Sequence, residues 1–304
     1  MKKIISPLLI FIASVCWGLS CVFVRRISAL GFSNNEINFL RFFLSAIIIC
    51  IIYFLFNKKA YKIKLKDVWI FICSGAISMF LTSLCYFSTQ INASVSIACI
   101  LMYTAPIFVT ILSKFIFKEK LTLIKILCLI SAFTGIVLCS FDGNVGNITF
   151  PIFIVGLGSG IFYASYSIFS RIALNKGYLA ENILLYSFIF GSLASSFSVD
   201  YSHFFGVLSS INYNIIDPVL LSTISTVLAY MTYTLGLKGV ETSTASIIAC
   251  MEIVVATLVG VILYSEIPSI LAIFGLIIVI TSVVALNLIK PKKHNLEVKL
   301  NDKA

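Results

Sequence analysis

Apolar residues run through this chain in stretches that charge scarcely interrupts, each about as long as a bilayer is thick. The stretches fall near 4–24, 34–56, 67–88, 92–115, 122–140, 151–170, 181–199, 215–237, 242–264 and 268–289. A helix crosses the hydrocarbon core with roughly 17–25 residues, and a helix satisfies its own backbone hydrogen bonds where water is absent. Composition agrees: 60% of the 304 residues are hydrophobic and 11% are charged, against about 25% charged in soluble domains. That much apolar surface cannot be hidden in one water-soluble core. The expected fold is an all-α membrane protein with ten transmembrane helices.

A net charge of +10 would suit nucleic acid or another anionic surface, but its placement argues against nucleic acid as a partner. The charges sit in short clusters between the apolar runs, as in KKAYKIKLKD (58–67) and KPKKHNLEVKLNDK (290–303). With both termini in the cytoplasm, 19 of the 22 lysines and arginines fall on that side, as the positive-inside rule requires. Arg25 and Arg26 fall outside, where they would draw anions or simply cap a solvated helix end. The first apolar run is longer than a signal peptide's core and lacks an A-x-A site, and ASVC (13–16) is a poor lipoprotein match, so an uncleaved first span is expected. Nine cysteines lie almost wholly inside the spans with no C-x-x-C and no histidine at ligand spacing, so neither a metal nor a cofactor is expected.

The chain repeats itself. A shift of 147 residues aligns 86–138 with 233–285 without a gap, with eleven of 53 positions identical. The polar matches weigh most: Tyr86 with Tyr233, Ser96 with Ser243, Thr110 with Thr257, Glu119 with Glu266 and Thr134 with Thr281. A shift of 145 brings Ser20, Arg26 and Ile27 onto Ser165, Arg171 and Ile172, and Trp17 onto Phe162. Each copy holds five helices, an odd number, so the second enters the membrane from the opposite side. The expected domains are a first repeat over 1–145, a second over 146–290 and a basic cytoplasmic tail over 291–304. Inverted repeats of this kind place a substrate site near mid-membrane at their interface.

These residues resemble the drug/metabolite transporter superfamily, and EamA-type permeases in particular. The resemblance lies in the two five-span halves, in TAPIFVTILSKFIFKEKLT (104–122) with its echo EIVVATLVGVILYSEIPS (252–269), and in NFLRFFLSA (38–46), similar to that family's arginine-bearing second helix. It covers about 280 residues and implies a ten-helix bundle around a central cavity, working by alternating access. Two departures stand out. Ile253 replaces a proline that often follows the acid of the ninth helix, and Tyr186 stands where the second half would repeat Arg41.

Glu252 lies roughly 15 Å deep at 1.5 Å per residue, where an ionised acid costs about 2.5 kcal/mol or more. It is a candidate for proton coupling or cation binding, or else a carboxyl bonded to a neighbouring helix. Arg41 is set to meet a substrate carboxylate or Glu252, or else to snorkel outward or anchor a helix contact. Pro106 removes a helix hydrogen bond and is a hinge candidate, with a static kink as the plain alternative. Glu119 and Glu266 read as caps or loop ion pairs, with Lys118 or Lys120 as partners for the first. Polar stripes at helical spacing mark candidate cavity walls: Asn92, Ser96, Tyr103, Pro106 and Thr110; Gly156, Gly160, Tyr163 and Ser167; Ser222, Thr226 and Tyr233. The G156-x-x-x-G160 pair equally suits close helix packing. Trp17 and Tyr103 lie mid-span and could stack a ligand, whereas Tyr86 and Tyr233 read as interfacial belt residues. The substrate-cavity candidates are therefore Trp17, Ser20, Arg41, Ser96, Tyr103, Tyr163, Ser167, Thr226 and Glu252.

No catalytic constellation is visible: His203 and His294 fall outside the spans, and aspartates occur only in loops and the tail. Channel-like rings or filters and a Walker motif are also missing. The expected function is secondary active transport of a small polar metabolite, an amino acid or amine-bearing compound favoured, by alternating access with proton coupling as an option. A drug permease or a nucleoside- or cofactor-like permease is the alternative, with an intramembrane enzyme or scaffold far behind. The expected partners are the substrate, the lipid bilayer and, as an option, a second copy of the chain. A bacterial cytoplasmic membrane is the expected location.

Overall fold

The computed structural model describes residues 2–141, 148–211 and 215–288, and every regular element among them is a helix. The tail at 291–304, with His294, lies outside the described residues. Among the described residues, nine helices are long and apolar enough to cross a membrane: α1 (Ile5–Ala29), α2 (Asn34–Phe56), α3 (Leu65–Asn92), α4 (Val95–Phe117), α5 (Leu123–Ser140), α6 (Phe150–Asn175), α8 (Ile216–Leu237), α9 (Thr242–Tyr264) and α10 (Ile270–Leu288). Between α6 and α8 stands α7 (Ala180–Ser196), which turns through 105° into a surface helix, Tyr201–Ser210. This helix fills much of the connection over 200–217, and counting the bent pair as one span completes the ten.

Local chemistry sets the boundaries. Ser33 and Glu36 form a reciprocal capping box at the start of α2: Ser33 N–H donates to Glu36 Oε2 at 2.8 Å, and Glu36 N–H donates to Ser33 Oγ. Ser94 and Thr122 accept backbone N–H groups at the starts of α4 and α5. The ends of α4 and α9 are the same motif written twice. Lys118 (φ 55°) and Ser265 (φ 54°) each take the left-handed conformation, and the next residue, Glu119 or Glu266, returns its N–H to Ser113 O or Gly260 O. All three pairs are 147 residues apart.

The same offset recurs inside the spans. α4 is interrupted between Val95–Met102 and Ala105–Phe117, and α9 between Thr242–Ala249 and Met251–Tyr264, so that Tyr103 and Cys250 hold equivalent breaks. α3 and α8 each widen into a π-helical stretch, at Cys73–Leu81 and Leu221–Leu228. Two spans depart from the pattern: α1 breaks at Leu19 while α6 runs unbroken from Phe150 to Asn175, and α7 ends at Ser196 in its bend while α2 runs on to Phe56. The two five-helix halves are thus one fold used twice.

α5 and α10 meet across the halves at glycine. A Cβ on Gly135 would sit 2.7 Å from Gly275 O, and one on Gly275 would sit 2.5 Å from Gly135 O, so only hydrogen permits this approach. Inside the bundle lies one large core of buried residues from both halves, including Ile10, Phe42, Ile49, Leu184 and Phe188. Large apolar side chains such as Phe54, Phe115, Ile130 and Phe274 stay exposed on the outer faces, which suits a surround of acyl chains. One end of the bundle carries most lysines and is called the basic end below.

Candidate functional site

Next to its break, the middle of α1 lies against α9. A Cβ on Gly18 would lie 2.8 Å from Glu252 O and 2.6 Å from Val255 Cβ, so glycine lets α1 reach the backbone that carries the acid. Glu252 stands in the first turn of the second segment of α9, where the helix macrodipole favours negative charge. Tyr163 of α6 donates its hydroxyl to Glu252 Oε2 at 3.3 Å. Gly160, one turn earlier, packs against the break in α4: a Cβ there would lie 2.7 Å from Leu101 O. Gly156 meets Leu101 and Thr89. The stripe on α6 therefore divides, its glycines serving packing and Tyr163 and Ser167 facing a cavity.

That cavity, about 30 Å³, is lined by Trp17, Pro106, Tyr163, Tyr166, Ser167, Tyr230, Tyr233 and Ser246 together with small apolar residues. Its wall is an aromatic cluster. Trp17 stands edge-on to Tyr230 and tilted to Tyr233, both at 5.2 Å, and Tyr166 meets Tyr230 edge-on at 4.8 Å. Such geometry matches the ring quadrupoles and contributes about 0.5–1.5 kcal/mol per pair beyond burial. Tyr166 and Thr234 share a hydrogen bond of 3.0 Å, and Ser167 and Tyr233 one of 2.7 Å. Trp17 Nε1 is buried with no acceptor, leaving a donor open to a ligand or an ordered water.

The expected residues are distributed as follows. Trp17, Tyr163, Ser167 and Pro106 share the cavity lining, and Tyr163 links it to Glu252. Tyr103 is buried at the break of α4, and Pro106 lies in the first turn of the segment after that break. Pro106 therefore starts a helix rather than kinking one, which is where a missing N–H costs least. Arg41 and Thr226 form a pair of their own: Arg41 Nε donates to Thr226 Oγ1 at 2.9 Å, in the π-helical stretch of α8. No ion pair within 4.0 Å joins Arg41 to Glu252. Ser20 and Ser96 are outside the lining of this cavity.

Tyr233 is not a belt residue. It is 2% exposed and packed on Trp17, because the broken helices draw its level of α8 into the core. Tyr166, Tyr230 and Ser246 complete the wall without having been singled out from the sequence. The signal available was a tyrosine pair three residues apart on each of two helices, Tyr163–Tyr166 and Tyr230–Tyr233, one helical face in each case. Glu119 is a cap, but of a distant helix. Its carboxylate accepts from Thr242 N at 2.7 Å and from Ser243 N at 3.1 Å, with Lys118 and Lys120 uninvolved.

The basic end is closed around that cap. Lys125, buried, donates to Glu241 Oε2 at 2.5 Å and to Ser243 Oγ at 3.0 Å. Arg171 donates to Thr242 Oγ1 at 2.9 Å and also to Val240 O. Segment Thr242–Ala249 packs on Ala105–Phe117 here, whereas the equivalent segments at the other end, Val95–Met102 and Met251–Tyr264, share no comparable contact.

A profile of the EamA-like transporter family matches residues 4–141 and again residues 150–288. The chain belongs to the EamA-like transporter family. Its two matched segments coincide with the two five-helix halves. An uncharacterized transporter of Helicobacter pylori (strain J99 / ATCC 700824) is 29% identical over 189 residues, and that match spans 60% of this chain and 60% of the relative. A protein of known crystal structure superposes with a TM-score of 0.76 over 93% of this chain and 96% of its own at 16% identity, a likeness of fold. This EamA-family chain is accordingly a multi-pass membrane protein of the drug/metabolite permease type.

Proposed function

We propose that this permease moves a small polar metabolite, with an amino acid or related amine-bearing compound favoured, across the cytoplasmic membrane of a bacterium by alternating access. The basic end faces the cytoplasm by the positive-inside rule, so the observed state is closed inward. The observation that carries the reading is Glu252, held by Tyr163 at a helix break beside an aromatic cavity with an open indole donor. A carboxylate, aromatic faces and a few hydroxyls together favour a cationic amine with a polar or flat body. The cavity in this state has room for about one water, so a metabolite enters only as the walls part. Glu252 then carries either the proton or the substrate amine, which couples the two.

The test is accumulation by proteoliposomes from a defined metabolite mixture, read by mass spectrometry with and without a pH gradient, for the parent and for Glu252→Gln. Gradient-dependent accumulation of an amine-bearing compound by the parent, reduced at least tenfold in Glu252→Gln with exchange retained, supports the reading. Accumulation that ignores both the gradient and the substitution removes proton coupling through Glu252. Uptake confined to amphipathic drugs would move the substrate class.

A further inference from the structure

Glu119 and Glu266 occupy equal positions in the two halves, each following a left-handed residue and each with its N–H tied back to the helix before it. Their carboxylates have different partners. Glu119 caps the N-terminus of α9, accepting from Thr242 N, Ser243 N and Ser243 Oγ at 2.7, 3.1 and 2.5 Å. The residues equivalent to Thr242 and Ser243 are Val95 and Ser96, at the N-terminus of α4. Glu266 does not reach them; it accepts from Arg25 Nη1 at 2.6 Å, in a pair about half exposed on both sides. The packing follows the caps. Where the glutamate holds the opposing helix, at the basic end, the broken segments of α4 and α9 pack closely, and where it is turned aside the equivalent segments make no comparable contact.

We propose that Glu119 and Glu266 are alternating latches that position α9 and α4 during transport. In the observed state Glu119 holds the N-terminus of α9 and closes the basic end, while Arg25 parks Glu266. In the opposite-facing state Glu266 leaves Arg25 for the N–H groups of Val95 and Ser96, closing the other end, and Glu119 releases Thr242 and Ser243. The chemistry suits reversible closure. A helix N-terminus offers unsatisfied donors and the positive end of a dipole, and a carboxylate that leaves it finds a solvated partner instead of a buried void. Each latch is a positioning residue and touches no substrate. The idea rests on the alternating-access reading above.

The experiment uses the full chain with its nine cysteines replaced and one thiol introduced in the cavity wall by Ser246→Cys. The protein is reconstituted in a single orientation, and a membrane-impermeant maleimide is applied from either face. The readout is the ratio of labelling rates from the two faces. Glu119→Ala should shift that ratio roughly tenfold toward the basic face, since a charged cap is worth about a factor of that size. Glu119→Gln, which keeps an acceptor and loses the charge, should shift it about threefold the same way. Glu266→Ala should shift it in the other direction, and the double variant should return to within about twofold of the parent, because distant sites add. Single substitutions that leave the ratio unchanged, or move it in the same direction, overturn the latches while alternating access stands. A parent labelled from one face only, under every condition, overturns alternating access and the latches together.

Discussion

The two ends of the bundle share a backbone and differ in what hangs on it. Glu119 and Glu266 leave their helices through the same left-handed turn, yet one caps a partner helix and the other meets an exposed arginine. The surroundings decide. At the basic end Lys125, Arg171 and Glu241 gather at the start of α9. Their counterparts by the two repeat offsets are Ala272, Arg26 and Ser94, of which only Arg26 is charged, and it points to Asp217 at 3.5 Å. A symmetric fold can thus carry an asymmetric set of attachments, and those attachments choose which face is shut.

That contrast can be broken by substitution. The largest effect is expected from Glu241→Ala, which strips the charged partner from buried Lys125. Losing one member of a buried pair is costly, but half the cage remains in Ser243 and Lys120 O, so about 2 kcal/mol is expected, read as a lower unfolding midpoint in detergent. Next comes Glu36→Ala at the opposite end. It removes a capping box from a carboxyl that is 1% exposed, and about 1.5 kcal/mol should go with it.

A smaller effect separates the ends by pH. His203 Nδ1 lies 2.9 Å from Glu36 Oε1, and that hydrogen bond, followed by the carboxylate's charge, raises the imidazole above its ordinary value of 6.5. A raised value means the contact is fully stabilising below pH 6.5 and fades as pH climbs through the raised value. The protection of surface-helix amides, corrected for intrinsic exchange, should therefore fall as pH climbs above 6.5, and that fall should vanish in His203→Ala. A fall that survives the substitution would assign it to another group. Least is expected from Arg25→Ala, about 0.5 kcal/mol or less, because an exposed pair is screened. A loss from Arg25→Ala as large as that from Glu241→Ala would erase the difference between the ends.

Sequence reasoning reached the spans, the inverted repeat and its offset because each rests on hydrophobic length or on polar matches in register. It also singled out Glu252 and Pro106, which are rare residue types at their depth. The breaks at Leu19 and Cys250 were not legible, since no proline marks them and an interrupted apolar helix keeps the composition of an intact one. The π-helical widening of α3 and α8 is hidden for the same reason. Glu119 was legible as a cap but not in its partner, because local reasoning looks to Lys118 and Lys120, while Thr242 comes near only through the fold. For Tyr233 the helical stripe pointed to the cavity it lines, while the belt reading failed because distance from a span end does not measure depth in a bundle whose helices are broken.

The glycine contact between α5 and α10 bears on how the chain is made. Gly135 leaves a shallow groove on α5 that Gly275 and Val279 of α10 fill, and α10 leaves the ribosome after the nine other spans described. Until then the groove holds acyl chains, and the first half, though complete in its own five helices, has a wall still to be built. A ribosome pausing within α9 would leave a half-assembled bundle whose seam is open to lipid, the species a membrane protease would meet first.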